Sequence, residues 1–86
     1  MSDINKQVAR ANLVGTVNAG YTITKVGDEA VIAHNPNKPD PWVAWHYSFD
    51  EETGNPSFYW GRYGSEATAD EAFYKKEHGI YSGGSL

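Results

Sequence analysis

The stretch WVAWHYSFDEETGNPSFYWGRY, residues 42–63, decides the fold of this chain. It holds all three tryptophans, two of the three phenylalanines and three of the six tyrosines. Two runs of aromatic and β-branched residues, 42–50 and 57–63, flank a turn that contains Gly54 and Pro56. This pattern predicts two antiparallel strands joined as a hairpin.

Alternation along the two strands separates their side chains into two faces. On the first strand, the core face is expected to be the one with the larger apolar side chains, namely Val43, Trp45, Tyr47 and Phe49. The second strand offers two alternatives for completing this core, either Phe58 with Trp60 or Tyr59 with Tyr63. Both stay open, because a register slip of one residue exchanges the two faces. Trp42 and one of the two alternatives are therefore expected on the open face or at an edge.

The segment before the aromatic stretch predicts a helix followed by a second hairpin. Residues 2–15 begin with N-cap residue types and place apolar side chains at helical spacing: Ile4, Val8, Ala11 and Val14. Gly15 ends this helix. The runs GYTITKVG (20–27) and AVIAHN (30–35) then predict two strands on either side of a turn. The loop NPNKPDP (35–41) cannot continue a sheet ladder, because three of its residues are prolines.

A second helix is predicted after the aromatic stretch, within GSEATADEAFYKKEHG, residues 64–79. Thr68 at the N-cap with Glu71 three residues later is the pattern of a capping box. Basic residues near the end complement the helix dipole, and Gly79 suits the position after the last turn. The inward stripe is expected to consist of Ala69, Ala72, Phe73 and Lys76.

The length of 86 residues favours a single domain. The order helix, four strands, helix predicts an α+β fold in which a four-stranded antiparallel meander is built from consecutive strands. The N-terminal and the C-terminal helix are both expected to pack on one face of this sheet. The domain is predicted to span residues 1–81, followed by a flexible tail at 82–86.

Composition disfavours several classes of protein. The absence of cysteine excludes disulfides, thiolate metal sites and cysteine nucleophiles, and it disfavours a small secreted domain. The first twenty residues lack a long apolar run, so neither a signal peptide nor a membrane-spanning helix is predicted there. Seven basic and eleven acidic residues give a net charge of −4. This charge disfavours nucleic acid as a partner and favours a basic protein.

No pattern of residues is typical of catalysis or of metal binding. The three histidines follow no ligand spacing. The acidic run at 50–52 lies at a predicted turn, which is convex and solvated, so general acid–base chemistry is not expected there. A phosphate-binding glycine loop, a nucleophile elbow and an HExxH motif are all absent from the sequence. We therefore predict no enzyme, no cofactor and no metal site.

The surplus aromatic side chains either form cross-strand pairs that stabilise the small sheet or provide a binding surface, and the acidic side chains of the turn either keep the hairpin soluble or steer a partner. Tyrosine and tryptophan are enriched at interface hot spots, and acidic groups steer association with a basic partner. Stacking of single-stranded nucleic-acid bases is the alternative, but only Arg62 is basic in the two aromatic strands. Self-association into a homodimer, through an open aromatic face or strand edge, is the third hypothesis. The predicted binding residues are Trp42, His46, Asp50, Glu51, Glu52, Tyr59, Arg62, Glu66 and Asp70.

In the segment 42–77, AWHYSFDEETGNPSFYWGRY leads directly into SEATADEAFYKKE. This segment resembles small accessory proteins of bacteriophages and mobile elements, in which an aromatic hairpin precedes a capped acidic helix. Inhibitors of host defence, including anti-CRISPR proteins, are similar in size, acidity and lack of cysteine. The resemblance implies a non-enzymatic protein of the bacterial cytoplasm that blocks a larger nucleic-acid-handling host complex by binding its basic surface.

Overall fold

The computed structural model describes residues 3–79, which form one antiparallel sheet and two helices. The helices are α1 (Asp3–Leu13) and α2 (Glu66–Glu77). The strands are β1 (Val17–Asn18), β2 (Tyr21–Val26), β3 (Ala30–His34), β4 (Trp42–Phe49) and β5 (Pro56–Gly64). Each strand pairs with the next along the chain, so the sheet is a meander. The predicted α+β fold with an antiparallel sheet is confirmed.

The sheet has five strands rather than the four predicted. The additional strand is β1, which pairs Val17 with Thr22 and Asn18 with Tyr21. Ala19 and Gly20 connect β1 to β2 with φ values of +53° and +87°. Two successive residues with positive φ form the tight turn that suits the twist of a hairpin. Sequence patterns do not reveal β1, because two residues are too few to show alternation.

α1 covers the face of the sheet that carries the predicted core residues of β4. Leu13 is 6% exposed and belongs to the same buried cluster as Val43 and Trp45. Nearer the middle of α1, the Nε atom of Arg10 donates to the hydroxyl of Tyr47 at 3.1 Å. The end of α1 is therefore held against the centre of the sheet.

The predicted inward stripe of α1 is wrong where the structure describes its side chains. Val8 and Val14 are 54% and 52% exposed, and Ala11 is exposed as well. Leu13 is turned inward instead. Burial of one leucine side chain contributes about 1.5–3 kcal/mol relative to leaving it exposed.

α2 covers the opposite face of the sheet. Ala69 is fully buried against Ile32 and Ala44, with Ala72 and Phe73 packed beside it. The inward stripe predicted for α2 is therefore confirmed for Ala69, Ala72 and Phe73, whereas Lys76 is half-buried and donates to the backbone of β5. The prediction that both helices pack on one face is not confirmed, because α1 and α2 contact opposite faces. The central strands β3 and β4 are apolar on both faces, so each face needs its own cover.

α2 begins at a different N-cap from the one predicted. The Oγ atom of Ser65 accepts a hydrogen bond from the backbone N–H of Thr68 at 3.2 Å, so Ser65 is the N-cap. Glu71 forms an ion pair with Lys75 at 3.3 Å instead of closing a capping box. Serine is a better N-cap residue than threonine, and the N-cap of the helix lies three residues before the predicted N-cap Thr68.

Two predictions concern the ends of the chain and its relation to a membrane. The predicted end of the domain at residue 81 and the tail at 82–86 lie outside the described residues. Within residues 3–79, neither helix combines the length and the apolar character that crossing a membrane requires.

Candidate binding surface on strand β5

A β-bulge in β5 determines where the aromatic side chains of this strand lie. The pairing of β4 with β5 is regular as far as Ala44 and Arg62, and it then shifts before His46 and Tyr59. Trp45 therefore faces two residues, Trp60 and Gly61, instead of one. Trp60 adopts a φ of +56°. This left-handed conformation is rare for a large side chain.

The bulge selects the β5 side chains that complete the core. Phe58 and Tyr63 lie on the same face as Trp45, with ring centroids 5.5 Å and 6.3 Å from its ring. The indole N–H of Trp45 donates to the hydroxyl of Tyr63 at 3.3 Å. Neither pair offered by simple alternation completes the core. One member of each pair does, because the extra residue at the bulge reverses the alternation partway along the strand.

Tyr59 and Trp60 form an exposed aromatic pair on the other face. Their side chains are 38% and 69% exposed, and their ring centroids lie 5.1 Å apart with the ring planes at 83°. His46 lies beneath them and is 4% exposed. Its ring is nearly parallel to that of Tyr59, at 5.8 Å, and edge-on to that of Trp60, at 5.2 Å. His46 therefore supports the exposed pair from below.

Two cationic side chains border the exposed pair. Lys76 of α2 donates from Nζ to the backbone carbonyl of Trp60 at 2.6 Å, which fixes the bulge to the helix. Burial, together with the nearby charge of Arg62, lowers the pKa of Lys76. Arg62 itself is exposed beside the pair. Tyr59, Trp60 and Arg62 together are called the aromatic surface from here on.

The surroundings of His46 favour its neutral form. Burial is the main cause of its lowered pKa, and the positive charge of Lys76 acts in the same direction. The carboxylates of Glu29 and Glu77, and a hydrogen bond with the backbone of Glu29, act weakly the other way. His46 is one of the predicted binding residues, but the structure places it under the aromatic surface rather than on it.

The acidic turn between β4 and β5 lies at the tip of the same hairpin. The carboxylate of Asp50 accepts hydrogen bonds from the backbone N–H groups of Thr53 and Glu52 at 3.0 Å and 2.7 Å, which lower its pKa. Asp50 therefore shapes the turn, whereas Glu51 and Glu52 are exposed. The tip lies about 13 Å from Tyr59 along the strand. Because β3 stops pairing with β4 at His46, the hairpin projects beyond its neighbour in the sheet.

The remaining predicted site residues lie at the other end of the hairpin. The ring of Trp42 stacks on that of His34 at 3.9 Å and packs against the cluster under α2. Glu66 and Asp70 are exposed in the first half of α2, which follows directly on Gly64, the partner of Trp42. The structure therefore brings Tyr59 and Arg62 together, and it separates the acidic turn from the acids of α2 by the length of β5.

Sequence reasoning missed Trp60, the more exposed of the two aromatic side chains of this surface. Regular alternation assigns it to the same face as Phe58. Gly61 was the available signal, because a glycine inside a strand pattern often marks a bulge. Its absence of a side chain lets the strand cross closely over the ring of Trp45.

A shallow groove lies along α2 and is lined by Lys25, Asp28, Asp70, Phe73, Tyr74, Glu77 and His78. Several of its polar groups are already engaged in internal contacts. The Nζ atom of Lys25 lies 4.6 Å from the centre of the Phe73 ring, and Glu77 binds the turn between β2 and β3. Among residues 3–79, the histidine and carboxylate side chains form no group of three or more that could hold a metal ion.

Known protein families, curated proteins and solved structures include no match to this chain. Its function is therefore inferred from the geometry of the aromatic surface and of the hairpin that carries it.

Proposed function

We propose that this chain is a non-enzymatic binding module that anchors a larger protein through the aromatic surface. The observation that carries the proposal is Trp60, which is 69% exposed and has a φ of +56°. A left-handed backbone at a non-glycine residue costs about 1 kcal/mol or more. Exposure of the indole adds to the free energy of the isolated domain, and a partner that buries this ring would offset both costs.

The chemistry of the aromatic surface favours protein over nucleic acid. Tryptophan, tyrosine and arginine are the residue types most enriched at protein hot spots. Base stacking requires open ring faces with cations alongside, but here the planes of Tyr59 and Trp60 cross at 83°. Lys76 is engaged with the carbonyl of Trp60, and the net charge of −4 opposes a phosphate backbone.

The acidic tip of the hairpin supports a basic partner. Glu51 and Glu52 are exposed about 13 Å along the strand from Tyr59, so one partner surface can meet both. The partner we propose is the basic, nucleic-acid-binding surface of a bacterial host complex, which the chain would block in the manner of an anti-CRISPR inhibitor. The net acidity and the sequence resemblance support this specific form, which sets the chain in the bacterial cytoplasm.

Replacement of Trp60 by glycine should separate binding from folding. Glycine adopts a φ of +56° without strain, and the hydrogen bond from Lys76 goes to the backbone, so it can persist. We expect the free energy of unfolding to change by less than about 1 kcal/mol. Loss of a hot-spot tryptophan, worth about 2 kcal/mol, should weaken partner binding about 30-fold. The measurement is titration of the partner that the tagged wild-type protein captures from nuclease-treated bacterial lysate.

Tyr74→Ala is the matched control for this experiment. Tyr74 is 57% exposed on α2 and contacts the ring of His78, away from β5. Its removal should leave the affinity unchanged. Equal losses for Trp60→Gly and Tyr74→Ala, or no loss for Trp60→Gly, would contradict the proposal. Retention of nucleic acid from untreated lysate, with no protein left after nuclease treatment, would favour the single-stranded nucleic-acid hypothesis instead.

Charge reversal at the tip should slow association with the partner. The double variant Glu51→Lys/Glu52→Lys leaves Asp50 in place, because its carboxylate shapes the turn. We expect the association rate to fall about tenfold at low salt and to lose most of its salt dependence, with little change in dissociation. Surface plasmon resonance at two ionic strengths measures both rates. The control is Glu66→Lys at the far end of β5; an equal effect there would remove the tip from the interface.

A further inference from the structure

His46 is a titratable group in a confined position under the aromatic surface. His46 is 4% exposed, and its ring lies below Tyr59 and beside Trp60. These two residues belong to β5, which is an edge strand of the sheet, whereas the α2 side of His46 is closed by the packing of Ala69 on Ala44. If the space around His46 has to open, Tyr59 and Trp60 are therefore the side chains that can move.

The charged groups around His46 come from three directions. Lys76 and Glu77 face it from α2, Glu29 faces it from the turn between β2 and β3, and Arg62 lies further along β5 beside Lys76. The carboxylate of Glu77 is committed to backbone amides of that turn. An imidazolium at this position would lie near the ammonium of Lys76, and that ammonium holds the bulge by its hydrogen bond to the carbonyl of Trp60.

We propose that His46 is a pH-sensitive support of the aromatic surface, whose protonation releases the Trp60 bulge and weakens partner binding. The imidazolium form of His46 is stabilised by contact with water and destabilised by the positive charge of Lys76. Both effects favour a state in which Tyr59 and Trp60 swing outward and the hydrogen bond between Lys76 and the Trp60 carbonyl breaks. The partner then meets a disordered surface instead of a preformed one, and preformed surfaces bind more tightly. This inference rests on the proposed function for its effect on binding.

The sign of the effect follows from the direction of the pKa shift. The pKa of His46 in the folded protein lies below its ordinary value of 6.5. The ordered surface is therefore fully stable above pH 6.5, and this stability is lost as the pH falls below 6.5 toward the folded-state pKa. Because a single proton is bound, the equilibrium constant between the ordered and the released surface changes by at most about tenfold per pH unit.

The test begins without any partner. NMR spectra recorded from pH 7.5 to pH 5 should show the indole N–H of Trp60 and the backbone amide of Gly61 shifting with the midpoint of the His46 ring carbons. The variant His46→Phe keeps an aromatic ring and cannot be protonated, so the Trp60 shift should vanish. His78→Gln is the control, since His78 lies on the exposed end of α2, and it should keep the wild-type titration.

Two outcomes would overturn the inference while leaving the proposed function untouched. One is a Trp60 signal that does not titrate in this range. The other is a Trp60 signal that follows the titration midpoint of His34 or His78 instead of that of His46. The wild-type spectra alone distinguish these cases, so the test holds even if His46→Phe does not fold. Where Trp60 titrates as expected, partner binding should also weaken from pH 7.5 to pH 5, by no more than about tenfold per pH unit below pH 6.5. Binding that keeps its affinity over this range contradicts the switch, whereas the Trp60→Gly result decides the proposed function by itself.

Discussion

Gly61→Ala is expected to destabilise the domain by about 2–3 kcal/mol, although it adds a single methyl group. A Cβ atom at position 61 would lie 2.8 Å from both Cδ1 and Nε1 of Trp45, and 2.8 Å from Cε1 of Tyr63. Trp45 is 4% exposed and packs edge-on against Tyr21, so its ring has little room to retreat. The strand or the indole must shift, and either movement disturbs the centre of the core.

Denaturant unfolding of matched variants measures this effect. Ser57→Ala changes an exposed residue of the same strand and should cost less than about 0.5 kcal/mol. Trp45→Val removes Cδ1 and Nε1, the two atoms of Trp45 that the new methyl group would meet. Gly61→Ala combined with Trp45→Val should therefore be less destabilised than the sum of the two single changes. Strict additivity, or a Gly61→Ala variant as stable as Ser57→Ala, would show that the strand does not cross Trp45 as closely as the structure indicates.

The sequence predicts the main elements of this fold because their signals are local. Runs of β-branched and aromatic residues bounded by turns mark β2 to β5, and helical spacing with charge order marks α2. The faces on which the helices pack do not follow from local signals, because they depend on which strand faces are apolar after pairing. The run AVIA in β3 is apolar on both faces, so it gives no preference for one covered face over two.

The candidate site was predictable only in part, for a related reason. Regular alternation places Tyr59 and Arg62 on opposite faces of β5. The bulge at Trp60 lies between them and brings both side chains to the same face. His46 and Trp42 occur on the face that looks open from β4 alone. α2 then packs on that face against Trp42, and β5 covers His46. No pattern within β4 indicates where a helix more than fifteen residues away will dock.

Glu77→Ala is expected to cost about 3 kcal/mol of unfolding free energy. The Glu77 carboxylate accepts backbone N–H groups from Asp28 at 3.0 Å, Glu29 at 2.7 Å and Ala30 at 2.7 Å. Asp28 and Glu29 are exposed, so water can replace the lost acceptor there. Ala30 is fully buried, and its N–H would lose a charged acceptor at a cost of about 1–3 kcal/mol. Gly27 shows how closely the turn fits this side chain, because a Cβ there would meet the carboxylate and the ring of Phe73.

Glu77→Gln and Glu71→Ala define the origin of this loss. Glutamine keeps one acceptor oxygen without the charge, so it should recover about half of the stability. Glu71 lies on the same helix in an exposed ion pair with Lys75, and Glu71→Ala should cost less than about 1 kcal/mol. Hydrogen exchange locates the effect: amides 28–30 should lose protection in Glu77→Ala while those of β4 keep theirs. Lys76 adjoins Glu77 in sequence and holds the Trp60 carbonyl. Release of the helix end should therefore also raise the exchange rate of the Gly61 amide. Unchanged exchange at amides 28–30 and at Gly61 would show that the Glu77 carboxylate does not help to hold the aromatic surface.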